Sequence, residues 1–231
     1  QEIQEILDKC DKECGWMFET HHDGSFSGMP GTINFVVWSD VYICPHCGHE
    51  FVFWEDGVDV ENGKVLSKFA CKSCNAELKK KDCTQVKIPY YDEALGETIY
   101  IGKQVPVYIN YSYGGKKYEK KPDESDLELI KKIDDFKIPY WFPTDRMCEG
   151  DEARRNDDSG ITHVHHFYTK RNLAYLACFN HYCTKPIHKL FLTRVAFRIT
   201  KRYALTYMSG CWGAGGGPTS GTLYIPALMK E

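Results

Sequence analysis

Between Ser159 and Lys230 the chain has no aspartate and no glutamate. Those 72 residues carry nine cationic side chains and five of the nine histidines. The whole chain has a net charge of −3, so everything outside that stretch must sum to −12. An acid-free segment of this length favours a polyanionic partner. The competing account is internal pairing between a basic and an acidic part of the chain. Long apolar runs are missing too. None approaches the ~20 residues of a membrane span, so no membrane partner is expected. There is no G-x-S-x-G, no H-E-x-x-H and no G-x-G-x-x-G after a strand, so no familiar catalytic constellation stands out. The glycines at 213, 215, 216, 217 and 221 have no Gly-Lys-Ser/Thr behind them and make no Walker loop. No secretory signal accompanies the eleven cysteines, which points to a reducing, cytoplasmic setting. The first residue is Gln1 rather than Met, as a trimmed tag or an excised fragment would explain.

Two C-x2-C pairs are present. Cys44-Pro45-His46-Cys47 is answered by Cys71-Lys72-Ser73-Cys74, 23 residues later (48 to 70). Paired thiolates suit the tetrahedral demand of Zn²⁺, and four of them leave no open position, so the metal is structural. Gly48 and Asn75 follow the second cysteine of each pair and tolerate a left-handed turn. The insert reads as a hairpin, Phe51 to Trp54 going out and Val65 to Phe69 returning, around Glu61-Asn62-Gly63-Lys64. Together these features predict a zinc ribbon held by Cys44, Cys47, Cys71 and Cys74. His46, His49 and Cys83 read as loop residues rather than spare ligands. His163, His165, His166, Cys178, His181 and Cys183 are a weaker candidate for a second metal site, because their spacing matches no standard pattern.

Elsewhere, residues 2 to 14 show helical spacing at Ile3, Ile6, Leu7 and Cys10, with Gly15 placed to end the helix. Cys10 and Cys14 read as small core residues. His21 and His22 open a loop that runs through Asp23, Gly24, Gly28, Pro30 and Gly31. Ile33 to Ile43 is β-rich and leads into the first knuckle, and strands around Thr98 to Ile101 and Gln104 to Tyr111 are expected to extend the ribbon's sheet. Lys116, Lys117, Lys120 and Lys121 beside Tyr111, Tyr113 and Tyr118 fit either a protected sheet edge or a nucleotide platform. A helix over 124 to 135 has a capping-box pattern at Ser125 and Glu128 and a stripe of Leu127, Ile130 and Ile133. Ile161 to Tyr168 reads as extended, Thr169 caps a third helix, and Pro186 opens a fourth that runs to about Tyr203. Thr222 to Ile225 reads as a last strand.

Several stretches, in order, resemble one family. They include Cys14-Gly15-Trp16-Met17-Phe18-Glu19-Thr20, Val37-Trp38-Ser39-Asp40-Val41, Cys44-Pro45-His46-Cys47-Gly48, Val105-Pro106-Val107 and Tyr118-Glu119-Lys120-Lys121-Pro122-Asp123. Ile138 to Arg146, Gly160 to Leu173 and Gly215 to Pro226 continue the likeness. The family is that of bacterial and phage-type DNA methyltransferases of the amino-methylating class (N6-adenine or N4-cytosine). The resemblance covers most of the chain and is weakest from Ala174 to Trp212. It implies a target-recognition region inserted between the two halves of a methyltransferase domain, with those halves and double-stranded DNA as partners. S-adenosylmethionine would be held by the parent enzyme only. Ile138-Pro139-Tyr140-Trp141 lacks the leading polar residue and the second proline of the catalytic motif, so no catalytic residue carries over.

These readings give an α+β fold: a zinc ribbon with a small antiparallel sheet, plus a basic helical half. Its parts would be residues 1–30, 31–115 and 116–231. The expected DNA contacts are Arg146, Arg154 and Arg155 in a charged loop, Lys170 and Arg171 at a helix start, and Lys189, Arg194, Arg198 and Arg202 along the next helix. Two other readings stand beside this one. One is a protein-docking zinc-ribbon module of a restriction-modification or defence complex, and the other is an independent enzyme with a Cys/His metal centre.

Overall fold

The structure is a computed structural model that describes residues 1–22, 30–218 and 220–231. The loop glycines 24 and 28 therefore lie outside the described residues. The fold mixes helices with antiparallel sheets. Its elements, in chain order, are helix α1 (Glu2–Cys14), β1 (Glu19–Thr20), β2 (Gly31–Ile43), β3 (Glu50–Val52), β4 (Thr84–Gln85), β5 (Lys87–Asp92), β6 (Glu97–Gly102), β7 (Gln104–Tyr113), β8 (Lys116–Lys120), α2 (Glu124–Asp134), α3 (Lys170–Tyr182), α4 (Pro186–Arg198) and β9 (Leu228–Lys230). Shorter pieces decorate this frame.

Strand β2 is paired on both edges. On one edge β7 runs antiparallel to it, from Gln104 opposite Asp40 to Ser112 opposite Thr32. Because Thr32 and Ser39 also pair with β1 and β9, those two strands occupy the other edge. Double pairing buries the strand, and the polar alternation at Ile33 and Asn34 gives way to a continuously covered stretch around Val36 and Val37. The register of β7 slips between Pro106 and Tyr108. A proline inside a ladder lacks the amide a partner needs, and a bulge is where a strand accommodates it. Strand β8 closes the β7 side as an edge with Lys116 and Lys117 exposed. The β5–β6 pair forms a separate hairpin outside this sheet, contrary to the expectation that its strand would extend it.

Sequence-predicted helices begin where expected, but not every cap is the expected one. Asp123, not Ser125, caps α2: its carboxylate accepts the Asp126 amide at 3.2 Å, and the Asp126 carboxylate accepts the Asp123 amide at 3.0 Å. Lys120 ties both acids together at 2.6 and 2.8 Å. Leu127 is 51 % exposed, so it is outside the stripe, whereas Ile133 is buried. Gly15 keeps a right-handed conformation (φ −58°) and the chain continues into a 3-10 turn, Gly15–Phe18. Thr169 caps α3 through the Asn172 amide as expected. Helix α4 stops at Arg198 because tertiary partners take the next backbone groups: Asn172 donates to the Ile199 carbonyl, and the Lys201 amide donates to the Phe167 carbonyl.

Three other local expectations are corrected. Val164–Phe167 is a 3-10 turn rather than extended chain. Phe53 and Trp54 belong to a helical turn, Phe53–Asp56, that buries both rings. The last strand is Leu228–Lys230 and not Thr222 to Ile225.

Two large apolar cores result, beside a smaller cluster of Ile33, Val36, Ile109 and Tyr111 on β2 and β7. One packs Tyr42, Phe51, Phe53, Trp54 and Phe69 around the cysteine pairs, and Trp212 returns to it with its ring 5.1 Å from that of Trp54. At Gly63 (φ +64°) a Cβ would sit 2.0 Å from the Tyr207 ring, so only glycine allows this closure. The other core joins α1, α2 and α3 through Ile6, Met17, Ile133, Ala174 and Phe179. Cys10, Cys14 and Cys178 are buried there, and burial pushes their thiols up to about 11, 12 and 12, so they pack as neutral apolar groups. Ile109, 1 % exposed on β7, should lose about 2–5 kcal/mol of stability as Ile109→Ala, while Leu127→Ala should stay within about 0.5 kcal/mol. Urea denaturation of both variants checks this, and equal losses would contradict the burial assignment.

Candidate functional site

The C-terminal end of β2 delivers Cys44 into the first of two matching knuckles. The Gly48 amide donates back to the Cys44 carbonyl at 3.0 Å, and the Asn75 amide does the same to Cys71 at 2.8 Å. Gly48 (φ +74°) and Asn75 (φ +59°) both take the left-handed turn that their sequence predicts. The cysteine amides are also held: Cys44 donates to the His49 carbonyl and Cys71 to that of Ala76, each at 2.9 Å. Backbone geometry alone thus aims four thiols at one point.

The four sulfurs lie within 4.8 Å of one another, with Cys44–Cys74 and Cys47–Cys71 at 3.8 Å. A tetrahedron with Zn–S bonds of ~2.3 Å requires an S···S edge of ~3.8 Å, whereas a disulfide needs ~2.05 Å. The donor set and its spacing are therefore compatible with a structural zinc. Cys44 and Cys71 are buried beneath Phe51, Phe69 and Leu78, while Cys47 and Cys74 face outward. His46 and His49 are exposed, and Cys83 donates to the Lys79 carbonyl at 3.5 Å, so none of them joins the cluster.

The second candidate set is not assembled. Cys178 lies in the helical core, His181 stacks on Tyr140 at 4.4 Å, and Cys183 is half-buried at the end of α3. His165 and His166 do converge, on a residue that sequence reasoning missed, Asp92 at the end of β5. The available signal was an acid at the head of a turn ended by Gly96, whose amide donates to the Asp92 carbonyl at 2.8 Å.

Protonation argues against metal at this trio. His166 Nδ1 accepts the Thr162 and His163 amides at 3.2 and 3.3 Å, so in the neutral ring Nε2 must carry the proton. That Nε2–H donates to Asp92 Oδ2 at 2.7 Å, leaving no lone pair for a metal. His165 Nε2 meets the same oxygen at 2.8 Å, and the Ala94 and Leu95 amides donate to Oδ1 at 2.9 and 3.2 Å. One buried carboxylate therefore collects four hydrogen bonds and clamps the β5–β6 hairpin to the 3-10 turn.

The nine expected DNA contacts divide sharply. Arg171 is only 3 % exposed, with Nη1 3.6 Å from Glu231, and is not available at the surface. Arg154 donates to the Met147 and Cys148 carbonyls and pairs with Asp157. Arg155 pairs with Glu152, Arg146 with Asp157, and Lys170 with Glu93. Arg202 donates to the Thr222 carbonyl and lies over the Phe197 ring. Lys189, Arg194 and Arg198 alone among the nine are exposed with no carboxylate within 4.0 Å among the described residues. Comparison with protein-family models, curated proteins and solved structures gives no match. Among the described residues no helix is long and apolar enough to cross a membrane.

The clamp predicts a two-stage acid response. Burial, with Asp92 pulling the other way, holds His166 down at about 4. Burial pushes the Asp92 carboxyl up, but hydrogen bonds from His166 and His165 outweigh it and hold it at about 2. Both folded pKa values lie below their unfolded values of ~6.5 and ~3.9, so each contribution is complete above the unfolded value and is lost as pH falls. Stability should decline first between about pH 6.5 and 4 through His166, then below about pH 4 through Asp92. Asp92→Asn, which sets an amide against imidazole N–H groups, should cost about 2–3 kcal/mol and remove the second stage. Urea midpoints measured from pH 7 to 3 check it, and an unchanged acid profile in the variant would contradict the clamp.

Proposed function

We propose that this chain is a DNA-recognition region of a DNA modification methylase, braced by one structural zinc and not catalytic by itself. S-adenosylmethionine and the methyl-transfer residues would belong to the catalytic halves of the parent enzyme. The observation that carries the proposal is the trio Lys189, Arg194 and Arg198. A protein that needs cations only for its fold pairs them, as this one does with Arg154, Arg155 and Arg171. Three cations on one exposed helix, unpaired among the described residues and set in an acid-free segment, favour phosphate. Arg194 and Arg198 are one turn apart and share a face. Such contacts position a duplex without reading its sequence.

A second reading has its own support. Leu190 and Phe197, 66 % and 51 % exposed, occupy the same outer face of α4 between the cations. An apolar ridge with basic flanks also suits a protein partner, as in the docking-module alternative.

Fluorescence anisotropy at several salt concentrations separates the two. For DNA, duplex binding in the ~10⁻⁴–10⁻⁶ M range is expected, with Arg194→Ala and Arg198→Ala each weakening it and flattening the salt slope by about one unit. Leu190→Ser should leave duplex binding unchanged. Failure to bind duplex at low salt would remove the DNA reading and leave docking.

For the metal, one zinc per chain is expected by elemental analysis, with loss of metal and of folding around the knuckles in Cys71→Ala. Metal-free protein purified without chelator would refute a zinc role.

A further inference from the structure

A cavity of about 600 Å³ lies where β2, the β5–β6 hairpin, α2 and the start of α3 meet. That is the size of pockets that take a small organic molecule, which typically run ~300–1,000 Å³. Trp38, Ile88, Tyr90, Ile101 and Met229 give it flat and apolar walls. Its charges are lopsided: five lysines and arginines line it against three carboxylates, Asp40, Asp134 and Glu231.

Two nitrogens in this lining are buried without a hydrogen-bond partner among the described residues, and a third, on Lys201, opens onto it. Arg171 is 3 % exposed, and its Nε has no hydrogen-bond acceptor. His165 is 7 % exposed; with Nε2 committed to Asp92, its Nδ1 is left without a donor. Lys201 is half-buried on the cavity wall, and among the described residues it makes no side-chain hydrogen bond and has no carboxylate within 4.0 Å. Burial pulls its amine down to about 8, with Glu231 and Asp134 opposing from farther away. Arg171 touches Glu231, and Lys201 lies within electrostatic reach of it, so the two cations flank one point. Buried polar atoms are nearly always satisfied in folded proteins, because each orphan is costly. One buried unused donor, one buried unused acceptor and a lysine amine open to the same apolar-walled chamber describe the complement of a ligand.

We propose that this cavity binds a small organic anion. Its carboxylate or phosphate sits on Lys201 Nζ and Arg171 Nε, and its flat body rests against the Trp38, Ile88 and Tyr90 walls. Lys201 supplies the point charge, while Arg171, already oriented by Glu231, supplies a directed N–H. The site does not depend on the DNA reading, since neither side chain belongs to the exposed trio on α4.

Isothermal titration of the full chain with two flat anions, 2-naphthoate and adenosine 5′-monophosphate, tests the proposal. Adenosine and 2-naphthalenemethanol serve as uncharged counterparts. Lys201→Met is the variant of choice: among the described residues the amine makes no hydrogen bond or close ion pair that its removal would break, and circular dichroism confirms the fold. Lys189→Met controls for a lost surface charge. At least one anion should bind with a Kd below about 1 mM, weaken about tenfold or more in Lys201→Met, and be unaffected by Lys189→Met. Which anion binds distinguishes carboxylate from phosphate. Three results would overturn the proposal: no saturation by either anion, equal affinity in Lys201→Met, or uncharged counterparts that bind as tightly as the anions.

Discussion

The double-edged pairing of Gly31–Ile43 is the constraint on which the rest depends. A strand hydrogen-bonded on both sides over most of its length has little freedom of register, since a one-residue slip would turn every side chain to the opposite face. Its C-terminal residue precedes Cys44, so the first knuckle starts from a fixed point. Strand β9 docks on the same strand, and with it Glu231 reaches Trp38 at 2.7 Å and Arg171 at 3.6 Å. One long ladder thus positions the thiols, the walls of the cavity and the C-terminal return together.

Charge is distributed by the same logic. The acid-free segment reads as a single basic surface, yet folding divides it. Lys185 is tied to Glu2, Lys170 to Glu93 and Arg171 to Glu231, while Lys230 lies over the Phe35 and Tyr203 rings. Apart from Lys201 on the cavity wall, the cations of this segment that fold inward find partners, because an unpaired charge away from water is costly. What remains outside are the cations of α4, where solvent carries that cost instead. Internal pairing and a polyanionic partner, posed as rivals by composition, therefore apply to different members of one set.

Local chemistry was readable wherever a few consecutive residues decide the outcome. The knuckles are set by C-x2-C spacing and by Gly48 and Asn75, and the start of α3 is set by Thr169. The ends of elements were not readable. Ser125 lost the cap of α2 to Asp123 because Lys120 and Thr20 hold the two acids in place. Helix α4 ended early because Asn172, 27 residues away, takes the Ile199 carbonyl.

By itself the sequence determined an α+β chain with a four-thiol cluster and its most basic residues late in the chain, since spacing, turn residues and charge order are properties of the covalent string. Only the tertiary structure decided which cations reach solvent, that Asp92 gathers His165 and His166 from 73 and 74 residues away, and that Lys201 and Arg171 face one chamber. The physical reason is that burial, ion pairing and hydrogen-bond satisfaction depend on neighbours in space, and those neighbours come from segments the chain brings together only when β2 is paired on both edges.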